Sequence, residues 1–364
     1  MLLKNARIFI GKTFVTGDIE FDRTVTRIGT LDGEGIDLGG RYVIPGMVDI
    51  HTHGAIGEDF SEGSPEGLRK LSDYYVSKGV TSYLATTVTL NEAGLTPVMH
   101  AVRDTEVTGA KCAGVHLEGP FLSMAKRGAQ NPAYIQSPDC DMLDRLNDAS
   151  GNRVKLITVA PEEPNAMEFI AHASKTMTVS IGHTTADYDT AMRAFGAGAT
   201  HLTHTFNGME SLHHRKPGVI AAGLDAGASA ELICDGFHVH PAAIRFIYRA
   251  FGDKVNLITD SLACAYMADG KYRLGEMDVF VHDGKATLEN GTIAGSSIAL
   301  IDGLRNAVKF GFSLSDAVYA ASTAPAEAVH LDAGRIRVGA PADLAVLDSE
   351  LNLVSVYVDG VKKA

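Results

Sequence analysis

The chain of 364 residues carries 44 acidic against 32 basic side chains, a formal charge of −12, and is 45% hydrophobic and 21% charged. That balance suits an ordinary globular protein with a sizeable core. The negative excess argues against nucleic acid or an anionic membrane as the main partner, so an anionic substrate needs a local basic patch. Residues 1–10 lack a basic stretch followed by a long apolar core, and no run approaches the roughly 20 apolar residues of a membrane span, so the cytoplasm is the expected location. Cys112, Cys140, Cys234 and Cys264 are scattered without CxxC spacing, which indicates neither a disulfide framework nor a thiolate zinc site.

Residues 1–42 are short alternating segments punctuated by Gly and Asp, a β-rich pattern too small to stand alone. Residues 334–364 read alike, so the two chain ends are expected to pair into one small β-sandwich domain that brackets the rest. Within residues 43–333 one theme recurs: a short apolar, β-branched run ends in a polar or ionisable residue, then an Ala/Leu-rich helical segment follows. The runs are GMVDIHTH, VTSYLATTV, AGVHLEGP, VKLITVAPE, MTVSIGH, ATHLTHTFN, ASAELICDGFH and KVNLITDS. They recur at the span of a βα unit, which predicts a (β/α)₈ TIM-type barrel whose active site lies at the C-terminal ends of the strands. After the eighth run, residues near 272–294 carry Asp-Gly and Asn-Gly turns and predict a β-hairpin inserted over the barrel mouth. Helices are expected over about 298–310 and 314–321.

The first run, read as one strand from Val43 to Ile50 interrupted by a Pro-Gly, closes on His51 and His53. Residues two apart on a strand share a face, so both imidazoles point one way and can clamp one divalent metal. Two unrelated histidines in a turn would give the same spacing, and the rest of the chain decides between these readings. Polar residues close the other runs as well: Glu118 on strand 3, His183 on strand 5, His204 on strand 6, His238 just past strand 7 and Asp260 on strand 8. Scattered histidines would not fall so consistently at strand ends, and the joint pattern favours a metal site.

The motifs PGMVDIHTHG, GVHLEGPFLS followed by RGAQNP, SIGHT, THLTHTFNGM, HHRKPG, ICDGFHVHP, LITDS and GTIAGSS resemble the amidohydrolase superfamily and, within it, the N-acetylglucosamine-6-phosphate deacetylase family. The resemblance implies hydrolysis of the acetamide of a phosphorylated amino sugar. It implies that Glu118, His183 and His204 hold a divalent metal, zinc first, with iron, cobalt, manganese or nickel as alternatives. Because His51 and His53 are both kept, a second ion beside Glu118 is admitted, giving one or two per chain. A metal lowers the pKa of its bound water from about 15.7 toward about 7. Asp260 is then the general base and later the general acid, and His238 polarises the carbonyl and binds substrate. Asn207, Gly208, Gln130 and Arg215 match substrate-binding positions, although Gln130 stands where other members carry histidine. In the family the arginine matching Arg215 reaches the neighbouring subunit's site, which implies a homodimer. Cys264 and Tyr266 stand in the loop after Asp260 where smaller residues are frequent. A deacylase acting on N-acetylgalactosamine 6-phosphate or an acylated amino acid is the enzymatic rival, and a non-catalytic barrel would have lost these ligands.

Overall fold

The structure is a computed structural model that describes residues 1–364. Its centre is a parallel sheet of eight strands in chain order: β1 (Met47–Thr52), β2 (Val80–Thr87), β3 (Lys111–Glu118), β4 (Val154–Val159), β5 (Thr178–Ile181), β6 (His201–Leu202), β7 (Ser229–Ile233) and β8 (Val255–Ile258). All eight residues of β2 and all six of β1 are buried, as expected of parallel strands covered on both faces. The barrel closes between β8 and β1 just beyond the strands proper: the Asp260 N–H donates to the His51 carbonyl at 2.8 Å and the Thr259 hydroxyl to Asp49 Oδ2 at 2.7 Å.

Helices follow the strands around the outside, among them α1 (Pro65–Ser77), α2 (Glu92–Asp104), α3 (Cys140–Ala149), α4 (Ala166–Ala173), α5 (Tyr188–Ala197), α6 (Gly218–Asp225), α7 (Pro241–Phe251) and α8 (Leu300–Phe310). Several start on side-chain caps that accept an otherwise orphaned N–H: Ser64 from Gly67 at 3.1 Å, Asn91 from Gly94 at 2.9 Å and Asp187 from Thr190 at 2.8 Å. The expected helices near the C-terminus are α8 and Leu314–Ala321, followed by Thr323–Ala328. No helix is long and apolar enough to cross a membrane. The main core, 69 buried residues, fills the space between barrel and helices. Inside the barrel, an apolar cluster that includes Val48, Ile50, Leu84, Leu156, Ile233 and Ile258 accompanies a polar layer in which His51, His116, His201, Glu231, Thr158 and Thr203 have no solvent exposure.

Both chain ends build one eight-stranded sheet from Leu2–Ile10, Thr13–Phe21, Val25–Gly29, Ile36–Asp37, Tyr42–Pro45, Leu344–Leu347, Leu353–Val358 and Val361–Lys362. The strands holding Phe21 and Tyr357 lie four steps apart in that sheet, about 19 Å if it were flat at ~4.8 Å per step. Their ring centroids are 5.2 Å apart, so the sheet curls until its two halves face each other over a separate core of 13 residues. Alternate residues of the same strands, Ile44, Ala345, Leu347, Val356 and Val358, point the other way into the barrel's core. Lys111 of β3 adds a polar joint, contacting Asp343 at 2.9 Å and Asp359 at 2.6 Å.

Two details differ from the sequence reading. The run from Val43 to Ile50 is two strands, because Tyr42–Pro45 pairs with Leu344–Leu347 in the end sheet and the chain re-enters the barrel only after Gly46. Gly46 is required there: a Cβ would lie 2.1 Å from Thr81 Oγ1. The insertion over the mouth is a four-stranded antiparallel sheet, Gly270–Leu274, Met277–His282, Lys285–Thr287 and Ile293–Gly295, rather than a single hairpin. Asp283 and Gly284, both with positive φ, form its central tight turn.

Candidate metal centre and active site

The carboxyl ends of the barrel strands converge on Glu118, the last residue of β3. Its Oε1 lies 3.1 Å from His183 Nε2 and 3.0 Å from His204 Nε2, and those two nitrogens are 3.0 Å from each other. Its Oε2 lies 3.2 Å from His53 Nε2, which is also 3.2 Å from Asp260 Oδ1. His51 Nε2 is 3.4 Å from Glu118 Oε1 and 3.5 Å from Asp260 Oδ1. Glu118 therefore stands between two ligand groups, one with His183 and His204 and one with His51, His53 and Asp260.

Three of these residues, His183, His204 and Asp260, have positive φ values of 46°, 26° and 49°. Each lies two residues beyond the end of its strand, where the chain turns into the mouth. Left-handed backbone is costly for a residue with a Cβ and persists only when neighbouring contacts hold it. The His183 carbonyl accepts from the Ser123 N–H at 2.9 Å, the Asp260 N–H donates to His51, and the His204 N–H donates to Glu231 Oε2 at 2.9 Å. These bonds aim the three side chains inward. His183 Nδ1–H donates to the Lys126 carbonyl at 2.9 Å, which leaves Nε2 as its free donor atom.

The electrostatics favour a cation. Burial alone would raise the Glu118 pKa, but His51 and His183 hold it well below the carboxylate range. Burial works against protonating His51, yet the Glu231 and Glu118 carboxylates lift it well above the usual imidazole value. His53 is likewise lifted against burial to about 9 by Asp260 and Glu118. The two imidazole nitrogens facing Glu118 Oε1 are only 3.0 Å from each other, which would press two N–H groups side by side if each carried a proton, and His51 Nε2 is buried with no hydrogen-bond partner. A divalent metal resolves both conflicts, and the N and O donor set suits zinc and other first-row ions.

Above the cluster, a cavity of about 230 Å³ is lined by His53, His238, Asn207, Gly208 and Asp260, and by Leu274 and Thr292–Ala294 of the inserted sheet. His238 Nδ1–H donates to Asp235 Oδ2 at 2.6 Å, which turns Nε2 toward the cavity. Despite burial, Asp235 is held below its ordinary pKa by His238. Asn207 Nδ2 donates to the His204 carbonyl at 3.1 Å, and a Cβ on Gly208 would come 3.1 Å from His183 Nδ1.

Gln130, read from the sequence as a substrate contact, borders the cavity but spends both ends of its amide elsewhere. Nε2 donates to Glu118 Oε2 at 2.6 Å and Oε1 accepts from the Thr89 N–H at 2.7 Å. Arg215 lies outside this cavity, in an open groove of about 950 Å³ with Glu210, His213 and Lys216, and its Nη1 meets His214 Nε2 at 2.6 Å. Cys264 is buried beneath the inserted sheet, and burial pushes its thiol up to about 11. Tyr266 bonds Asp302 at 2.6 Å and does not line the cavity. Sequence reasoning missed Glu231, Asp49 and Asp235. The signal was an acidic residue within an apolar barrel strand for Glu231 and Asp49 and two residues beyond one for Asp235.

Comparison with known proteins agrees with this geometry. The profile of the amidohydrolase family matches residues 42–362. An N-acetylglucosamine-6-phosphate deacetylase of Vibrio furnissii is 33% identical over 354 residues, 94% of this chain and 89% of the relative. An N-acetylgalactosamine-6-phosphate deacetylase of Escherichia coli O157:H7 is 35% identical over 327 residues, 87% of this chain and 86% of the relative. The structure of a mutant N-acetyl-D-glucosamine-6-phosphate deacetylase from Mycobacterium smegmatis, in complex with N-acetyl-D-glucosamine-6-phosphate, superposes with a TM-score of 0.94 at 34% identity, covering 100% of this chain and 99% of that one. With the profile spanning most of the chain and relatives above 30% identity covering nearly all of it, the chain belongs to the amidohydrolase family.

Proposed function

We propose that this protein hydrolyses the acetamide of N-acetylglucosamine 6-phosphate, giving glucosamine 6-phosphate and acetate, in the cytoplasm. The observation that carries the reading is Asp260 held 3.2 Å from His53 beside the Glu118, His183 and His204 cluster, directly under a small polar cavity. Glu118, His183 and His204 would hold a first divalent ion, with zinc as the first choice, and His51 and His53 would hold a second beside Glu118. When bound, such an ion acidifies water into a nucleophile near neutral pH and polarises the amide carbonyl.

The chain's own groups do the rest. Asp260 takes the proton of the attacking water as the oxygen–carbon bond forms, then returns it to nitrogen as the carbon–nitrogen bond breaks. His238, its ring fixed by Asp235, presents Nε2 to the substrate carbonyl and polarises it as the oxyanion develops. Asn207 and Gly208 border the space for the sugar. Gln130 acts chiefly by orienting Glu118, since its amide is committed there. The phosphate falls to Arg215, whose guanidinium can grip it with two hydrogen bonds. Its place outside its own cavity supports a homodimer in which each Arg215 serves the neighbouring site.

Relatives at similar identity act by name on either epimer, so N-acetylgalactosamine 6-phosphate is the second reading. Acetate release from both 6-phosphorylated epimers and from unphosphorylated N-acetylglucosamine decides. The expected result is rapid release from the 6-phosphorylated gluco epimer and a large loss without the phosphate. Release from neither phosphorylated sugar would refute the assignment.

A further inference from the structure

Glu231 lies in the middle of β7 with no solvent exposure. A carboxylate in that position is tolerated only when its lone pairs are matched by donors. Oε1 faces His201 Nε2 at 3.2 Å, whereas Oε2 accepts two donors at once, His51 Nδ1–H at 2.8 Å and the His204 backbone N–H at 2.9 Å. The first of these bonds decides the chemistry of His51. In the neutral ring that metal ligation requires, a proton held on Nδ1 leaves the lone pair on Nε2, and Nε2 is the atom that faces Glu118 and Asp260 without a hydrogen-bond partner. The second bond fixes the strained backbone that carries His204 into the other ligand group. One oxygen thus anchors a histidine from each group.

We infer that Glu231 is a positioning residue for the metal centre: it locks His51 as an Nε2 donor and ties the His51–His53 ligand pair to the Glu118–His183–His204 group. Carboxylates that orient ligand imidazoles are commonly worth about 10- to 100-fold in metal affinity. The inference rests on the metal reading above, and the test separates the two.

Zinc content after dialysis and chelator competition would be measured for the wild type, Glu231→Leu and Glu231→Gln. The wild type is expected to keep two ions per chain. Glu231→Leu, which removes the acceptor at similar volume, should keep one and bind the second about 10- to 100-fold more weakly. Glu231→Gln should recover most of that affinity, because its amide oxygen can take the place of Oε2. Should the leucine variant fail to fold, nitrogen-15 spectra of the zinc-loaded wild type suffice: the His51 resonance, assigned by its loss in His51→Ala, should show a proton on Nδ1 and coordination through Nε2. A proton on Nε2, or a leucine variant with two ions held as in the wild type, would overturn the role of Glu231 alone. A wild type holding fewer than two ions would overturn it through failure of the two-ion reading.

Discussion

Replacing Asp260 with Asn tests the assigned chemistry with little disturbance of the fold. The backbone at Asp260 is left-handed, and Asn is among the residues that accept that conformation most readily. Asp260 itself contributes only backbone bonds to the fold here, its N–H to the His51 carbonyl across the barrel's closing seam and its carbonyl from the Ser296 N–H after the inserted sheet, both at 2.8 Å. Asn keeps both bonds and nearly the same volume. What it loses is the ability to hold and return a proton beside His53. Proton transfer by a positioned side chain contributes about 10²- to 10⁴-fold, a barrier change of about 2.7–5.5 kcal/mol. Acetate release from N-acetylglucosamine 6-phosphate should therefore fall by at least about 100-fold, with the melting temperature and the ion held by Glu118, His183 and His204 retained. A rate close to that of the wild type would refute the role of Asp260. A loss of rate accompanied by an equal loss of folded protein would refute the structural reasoning.

At the joint between the barrel and the end sheet, Lys111→Met leaves the buried Asp343 carboxylate without its ammonium partner. It should cost about 1.5–3 kcal/mol in urea unfolding, and an unchanged midpoint would count against the joint. Gly46→Ala forces a Cβ to 2.1 Å from Thr81 Oγ1 just before the strand that carries His51 and His53. About 1–3 kcal/mol of destabilisation by thermal melts is expected, and a wild-type melting temperature would contradict the packing. Asp18 is held below its ordinary pKa by the Leu31 and Asn5 backbone N–H groups. Its contribution is present above the unfolded value of about 3.9 and is lost as pH falls through the lower folded value. The stability gap between wild type and Asp18→Asn, followed by urea titration, should be constant near neutrality and shrink below pH of about 4. A gap that widens in acid would reverse the sign of this argument. Chelation should abolish acetate release and lower the melting temperature, whereas zinc at about 100 times its dissociation constant should add about 2.7 kcal/mol. Full activity after chelation would exclude a metal-dependent reaction.

The barrel was legible because each parallel strand is buried on both faces and so appears as a continuous β-branched run, while its carboxyl end reaches the mouth and carries the polar residue. The division at Gly46 was not legible, since Val43 and Val48 are equally apolar and only non-local pairing assigns one to the end sheet and the other to the barrel. The inserted sheet was underestimated for a related reason. Lys285–Thr287 and Ile293–Gly295 have three residues each and little alternation, so their strand character comes from pairing rather than from local pattern.

The site divides along a different line. His51, His53, Glu118, His183, His204 and Asp260 come together as their positions in the sequence suggest, because all stand at or just beyond strand ends that converge on the barrel mouth. Gln130 and Arg215 could be named but not placed, because the partner of a loop side chain depends on how the loop folds. Glu231 does not stand out in the sequence because an acidic residue inside a strand ordinarily marks its solvent face. In a parallel barrel there is no solvent face along β7: a side chain points either at the helices or into the interior. A carboxylate there must find donors, and on the interior side those available are the histidines of neighbouring strands. An acidic residue between Ala230 and Leu232 therefore implies a buried partner once the barrel has been recognised, and the partners the fold supplies are His51 and His201 together with the His204 N–H.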